Sequence, residues 1–163
     1  MFIRKAKSCK LDCKLIFSLS NEPLVRANSF NQNKIEYGEH CKWFFKVLSD
    51  KNTLFFLIFV DETETDFIGQ IRFKRESEIS TECIISLSIT EKFRGKHIAD
   101  EFIGLGLESL KKSWDNINSV VAEVKDENIA SNRVFLKKGF ELISKVNTYR
   151  LDISESFVVV GQA

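Results

Sequence analysis

Proline is almost missing from this sequence, with one residue at position 23, and no stretch gathers proline, glycine and serine into a linker. Nothing therefore divides the 163 residues, a length that suits one domain with a core needing neither disulfides nor metal. Charge of one sign is missing too: 24 lysines and arginines face 23 acids, for a net charge of +1. So balanced a chain lacks the basic surface that duplex nucleic acid requires, and nucleic acid is not an expected partner. The longest apolar run, Leu54 to Val60, is far short of the ~20 residues that cross a bilayer. Met1 to Lys10 has no apolar signal core, so a cytoplasmic protein without a membrane partner is expected. The four cysteines form no C-x-x-C pair, and reduced, mostly buried thiols are expected. Cys9 and Cys13 share a helix face, but their spacing to His40 does not suit zinc, and no metal is expected.

What is present is a clear alternation of periods. Phe2 to Lys7 alternates like a short strand, and Leu11 to Ser20 places Leu11, Leu15, Ile16 and Leu19 on one helical stripe. Asn21-Glu22-Pro23 ends that helix, the polar run Asn28 to Asn33 is a loop, and Glu36 to Leu48 is a second helix around Trp43, Phe44 and Val47. Thr53 to Val60 and Phe67 to Phe73 read as an antiparallel hairpin across an acidic turn. Ile79 to Ile89 is a long strand with Glu82, Ser86 and Ser88 on one face and Cys83, Ile85, Leu87 and Ile89 on the other. A helix from Ile98 to Trp114 follows, weakened by Gly104 and Gly106, then a strand Ser119 to Val124 and a helix Asn128 to Lys138 ending at Gly139. Strands Phe140 to Val146 and Thr148 to Ile153 and an apolar piece, Phe157 to Val160, close the chain. The class is α/β with a mixed sheet in a single domain, residues 1–163.

Two segments carry the chemistry. Phe93-Arg94-Gly95-Lys96-His97-Ile98-Ala99 is a basic, glycine-containing turn into a helix, where free backbone N–H groups and the dipole can cradle a phosphate or pyrophosphate. Asn128-Ile129-Ala130-Ser131-Asn132 leads to Phe135 and Lys138-Gly139-Phe140, with Asn128 a good N-cap and Gly139 a good left-handed C-cap.

Together these segments resemble the GNAT N-acetyltransferase superfamily, whose pyrophosphate-loop motif Q/R-x-x-G-x-G/A falls on Arg94, Gly95, Lys96, His97, Ile98 and Ala99. The resemblance implies a mostly antiparallel sheet flanked by about four helices, with acetyl-coenzyme A as co-substrate. It places the cofactor along the backbone of Leu87, Ser88 and Ile89, the pyrophosphate on Arg94 to Ala99, and the pantetheine beside Asn128 in the motif that includes Asn132, Phe135 and Lys138. Two departures stand out: His97 occupies a usual glycine position, and Phe135 a position where many members carry a tyrosine acid. A narrower likeness, through Asn21-Glu22-Pro23, Arg26, Asn28-Ser29-Phe30, His40-x-x-Trp43-Phe44 and Ile68 to Phe73, is to GNAT enzymes that acetylate the 4-amino group of nucleotide-linked sugars in bacterial surface-sugar pathways. Ribosomal-protein N-terminal acetyltransferases share part of it.

The residues offer several roles. Glu82, on the strand face of Ser86 and Ser88, is either the base for the acceptor amine or a surface partner of Arg72 or Lys74. Ser88, solvent or Tyr149 substitutes for the missing acid. The acceptor is expected near Arg26, Asn28, Ser29, Gln70, Arg72, Ser86 and Ser88, with Arg26 and Arg72 either gripping a diphosphate or standing as solvated charge. His40 and Trp43 are either substrate contacts or a packed corner. The expected partner is a small-molecule amine, a nucleotide-linked amino sugar, and the expected state is monomer or homodimer. The alternatives are N-terminal acetylation of a protein, favoured by Glu22, Glu36 and Glu39, and a non-catalytic acetyl-coenzyme A-binding domain.

Overall fold

A computed structural model describes residues 1–144 and 148–154. Among the described residues one seven-stranded sheet runs in the order β1-β2-β3-β4-β5-β7-β6. Its strands are β1 (Phe2–Lys5), β2 (Thr53–Phe59), β3 (Phe67–Lys74), β4 (Glu82–Ile89), β5 (Ser119–Glu123), β6 (Glu141–Ser144) and β7 (Thr148–Asp152). All neighbours are antiparallel except β4 and β5, which the crossover through a helix makes parallel. The helices are α1 (Lys10–Ser20), α2 (Pro23–Asn28), α3 (Tyr37–Ser49), α4 (Ala99–Ser113) and α5 (Ile129–Lys137).

The expected α/β class and mostly antiparallel sheet are what the structure shows. Among the described residues five helices stand where about four were expected, because Pro23 begins one as well as ending another. Its fixed φ suits the first helical position, where no N–H partner is needed, so the short α2 starts on it. Within α1 the expected stripe shifts by a residue: Leu11 is exposed, while Asp12, Cys13, Ile16, Leu19 and Ser20 are buried. Asp12 turns inward because the Arg4 guanidinium meets it with two hydrogen bonds, 2.7 and 2.9 Å. The expected strand through Val146 runs past Ser144 outside the described residues, as does the piece Phe157 to Val160.

Strand alternation splits the interior into two cores. Phe56, Ile58, Ile71, Phe73, Cys83 and Ile85 face α4, whose Phe102, Ile103, Leu107 and Leu110 are buried against them. The opposite side chains of β2, Phe55, Leu57 and Phe59, pack with Cys13 and Ile16 of α1 and Phe44 of α3. Thus α1 and α3 cover one face of the sheet and α4 the other. The Gly106 weakness in α4 has a packing reason: a Cβ there would lie 2.3 Å from Ile71 Cδ1. The face under α1 and α3 loses its apolar character on moving from β2 to β4, where Gln70, Arg72, Ser86 and Ser88 follow one another in register. That polar row marks the site.

Candidate active site

The parallel pair β4–β5 is joined only at its start. Glu82, Cys83, Ile84 and Ile85 pair with Ser119, Val120, Val121 and Ala122, and beyond Ile85↔Ala122 the ladder stops. Ser86 to Ile89 stay with β3, through Arg72↔Ser86, Ile71↔Leu87, Gln70↔Ser88 and Gly69↔Ile89. The two strands therefore part like a fork, and the β5-facing hydrogen-bonding groups of this part of β4 have no ladder partner. At the fork β3 and β4 come close, since a Cβ on Gly69 would stand 2.2 Å from the Ser88 carbonyl oxygen.

A cleft of ≈ 720 Å³ opens on the fork from the side of α1, α2 and α3. Ser86, Leu87 and Ser88 border it from β4, Glu123, Val124 and Lys125 from β5, and Asn128 and Phe135 from α5. All eight residues expected at the acceptor, Arg26, Asn28, Ser29, His40, Trp43, Gln70, Arg72 and Ser86, line it. Their chemistry differs from one to the next. Arg26 binds its own surroundings, donating to the carbonyl oxygens of Ser20, Asn31 and Asn33 and to Ser29 Oγ, so it braces the α2 loop. Arg72 instead has no hydrogen bond or ion pair among the described residues. Its guanidinium lies 5.4 Å from the centre of the Trp43 ring and 6.0 Å from that of Phe55, and burial pulls its pKa below the ordinary value without discharging it. Beside it the Gln70 Oε1 is buried without a partner among the described residues.

His40 is both packed and part of the cleft wall. Its ring sits among Phe17, Trp43 and Phe44, and its Nε2–H donates to the Cys13 carbonyl oxygen at 3.0 Å. That bond fixes the tautomer and leaves Nδ1 as the acceptor. Burial holds the pKa below the ordinary histidine value, against the smaller upward effect of the Cys13 carbonyl, so the ring is neutral at pH 7.

On the opposite face lies the turn into α4. Gly95 has φ +71° and His97 φ +57°, so His97 adopts the left-handed conformation that glycine would take in its place. Among the described residues the amides from Gly95 to Glu101 donate to no acceptor, and Phe102 begins the helical ladder by donating to Ile98. The side chains round this amide nest are basic: Arg94 pairs with Glu22, the Lys96 ammonium lies 5.2 Å from the centre of the Phe93 ring, and Lys138 meets Asp100 at 3.3 Å. Such a nest suits an anion of pyrophosphate size, and the backbone conformation supplies it without a side chain.

Around α5 the expected roles separate. Asn128 caps the helix by accepting from the Ser131 amide at 3.2 Å, and Gly139 turns the chain at φ +93°. Asn132 donates to the carbonyl oxygens of Lys125 and Asp126 and accepts from the Tyr149 hydroxyl at 2.7 Å. Tyr149 is 3% exposed and does not border the cleft. Its hydroxyl anchors the segment after β5. Glu82 is likewise away from the cleft: exposed, it pairs with Arg150 at 2.8 Å and accepts from Ser119 Oγ, with neither Arg72 nor Lys74 as its partner. It lies four positions from Ser86, about 13 Å along a strand.

The carboxylate that does border the cleft at the fork is Glu123. It shares the sheet face of Ser119, which bonds Glu82, and is the first residue of β5 beyond the last β4 pair. It has no ion pair among the described residues. As one acid near the end of an apolar strand it gave no signal in the sequence, because only the fork turns that position into a site. No group of histidine, cysteine, aspartate or glutamate side chains that could hold a metal occurs among the described residues. No helix among them is long and apolar enough to cross a membrane.

Comparison with known proteins agrees with this geometry. Residues 2–141 match the family model of the acetyltransferase (GNAT) domain. The chain belongs to that family and is an acetyl-coenzyme A-dependent N-acetyltransferase. No curated protein sequence matches it. Among solved structures it is similar to the spermidine N-acetyltransferase of Vibrio cholerae in complex with coenzyme A and spermine, at 17% identity and TM-score 0.75, over 91% of this chain and 90% of that one. The N-acetyltransferase PseH of Campylobacter jejuni is 17% identical with TM-score 0.68, over 94% and 98% of the chains. An aminoglycoside acetyltransferase in complex with coenzyme A is 12% identical with TM-score 0.76, over 93% and 94%.

Proposed function

We propose that this enzyme acetylates the amino group of an anionic small molecule, a nucleotide-linked amino sugar. The observation that carries the reading is Arg72, a cleft guanidinium with no acceptor among the described residues, lying over aromatic rings and aimed at whatever fills the cleft. A fork of five N–H donors left unpaired beside apolar surface favours phosphate or carboxylate oxygens and disfavours a polycation such as spermidine. Arg26, Arg94 and Lys125 also border the cleft, against Glu39 and Glu123. Of the acids cited for an N-terminal acceptor, Glu22 pairs with Arg94 and Glu39 with Lys42, and Glu36 does not border the cleft.

The same reading orders the chemistry. Acetyl-coenzyme A lies on the α4 face, its pyrophosphate on the amides from Gly95 to Ala99 and its pantetheine along Leu87, Ser88 and Ile89 beside Asn128. Its thioester reaches through the fork, where an unpaired β4 amide polarises the carbonyl oxygen as negative charge develops. The amine enters from the Arg72 side, and Glu123 draws the ammonium and takes its proton, directly or through a water. The neutral nitrogen attacks the thioester carbon, the tetrahedral intermediate passes its surplus nitrogen proton through Ser88 or solvent to the departing thiolate, and collapse breaks the C–S bond. Glu82 and Tyr149 take no part. The test of the acceptor class is calorimetric titration with a uridine-diphosphate-linked 4-amino sugar, comparing wild type with Arg72→Met. Binding that weakens about tenfold or more in the variant is expected; equal affinity for both proteins contradicts the reading.

A further inference from the structure

Two thiols meet across the helix pair that walls the cleft. Cys13 of α1 and Cys41 of α3 are 28 positions apart in sequence, and their sulfurs lie 3.5 Å apart. Cys13 is fully buried and Cys41 half-buried, so a small oxidant reaches Cys41 first. The pair is tied to the site by main-chain chemistry. The carbonyl oxygen of Cys13 accepts the bond from His40 Nε2, His40 precedes Cys41 in the chain, and His40 and Trp43 both line the cleft.

We propose that Cys13 and Cys41 form a modification site at which peroxide makes a disulfide, fixing α1 against α3 and with them the His40–Trp43 wall of the acceptor cleft. The Cys41 thiolate attacks one oxygen of hydrogen peroxide and the O–O bond breaks, leaving a sulfenic acid and a hydroxide that takes up a proton as water. Cys13 sulfur then attacks the Cys41 sulfur, gives up its proton and displaces the second oxygen as water. Two thiols lose two electrons, and one peroxide becomes two waters. Burial, and next to it the neighbouring Cys41, push the Cys13 thiol up to about 11, which suits it to the second step rather than the first. The sulfurs must close from 3.5 Å to about 2.05 Å, a shift within reach of side-chain rotation and small helix movement.

The test uses the whole folded chain, treated with graded hydrogen peroxide and then alkylated in denaturant. A mass loss of about 2 Da before alkylation, two alkyl groups fewer than the reduced protein after it, and a peptide joining Cys13 to Cys41 are expected, with no such peptide from Cys41→Ser and an unchanged yield from Cys83→Ser. Free alkylation of both Cys13 and Cys41, sulfinic acid at Cys41, or a bridge to Cys9 in place of Cys41 overturns the site. The crosslinked protein should melt several degrees higher than the reduced one and return on adding dithiothreitol; no rise overturns the claim that the bond fixes the helices. The effect on the acceptor rests on the reading of the cleft given above, whereas the crosslink does not. With the bridge formed, acetyl-coenzyme A affinity should hold while the acceptor KM moves about threefold or more. An unmoved KM alongside a formed bridge removes the link to the cleft and leaves the acceptor reading standing.

Discussion

At the scale of single residues, partners decide function. Arg26 and Arg72 are the same side chain at the same cleft, yet Arg26 spends its donors on loop carbonyls and only Arg72 is left for a ligand. Glu123→Gln should lower kcat by about 10²- to 10⁴-fold with acetyl-coenzyme A affinity unchanged, read by release of the coenzyme A thiol. Turnover within twofold of wild type would remove Glu123 as base. Tyr149→Phe tests the opposite kind of residue. It leaves Asn132 Oδ1 without its donor, so a loss of about 1–2 kcal/mol in denaturant unfolding is expected with turnover nearly intact. A loss of turnover at full stability would restore Tyr149 as an acid. Much of the cleft lining was legible, because Gln70, Arg72, Ser86 and Ser88 form a polar row in otherwise apolar strands. The place of Glu123 at the cleft was not, since Glu82 and Glu123 share a face and only the end of the β4–β5 ladder tells them apart.

At the scale of elements, the backbone sets the site. Beside the fork, the missing side chain of Gly69 lets β3 approach the Ser88 carbonyl. Gly69→Ala places a carbon against immovable backbone and should cost about 1–3 kcal/mol of stability and weaken acetyl-coenzyme A binding. Gly106→Ala meets the flexible end of Ile71 and should cost less. If the order of the two variants in thermal unfolding is reversed, the backbone contact at Gly69 is not the tighter of the two. In the turn before α4, His97→Gly relieves a left-handed residue and should keep acetyl-coenzyme A affinity, because the amides and not the imidazole make the nest. A clear loss by calorimetry would give the imidazole a role of its own. Strand and helix periods, the cap Asn128 and the turn Gly139 were readable from local pattern. Helix α2 was not, because one proline serves equally to stop a helix and to start one. The inward turn of Asp12 was not readable either, since its partner Arg4 lies on another element.

At the scale of the molecule, two cores lie on opposite faces of the sheet, and on the proposed reading each substrate has its own approach, meeting where the sheet parts. Holding the acceptor-side helices to the sheet is an ion pair. Burial pushes the Asp12 carboxyl up, but the Arg4 guanidinium and the Lys7 amide outweigh it and hold the group below the usual carboxylate range. A depressed folded-state pKa means the contribution is whole above that range and lost as pH falls through about 4 and below. Wild-type melting temperature should therefore fall steeply there. Arg4→Met leaves a buried, unpaired carboxylate, costs about 3–5 kcal/mol at pH 7, and should invert the trend so that mild acid stabilises the variant. An unchanged pH profile would dismiss the pair.

The most direct test of the whole scheme is the appearance of coenzyme A thiol when the enzyme meets acetyl-coenzyme A and, in parallel reactions, a uridine-diphosphate-linked 4-amino sugar or spermidine. Release with the sugar nucleotide, reduced by Arg72→Met and absent with spermidine, is the predicted result. Release with spermidine alone would show that the cleft receives a polycation, and would contradict the role given to Arg72.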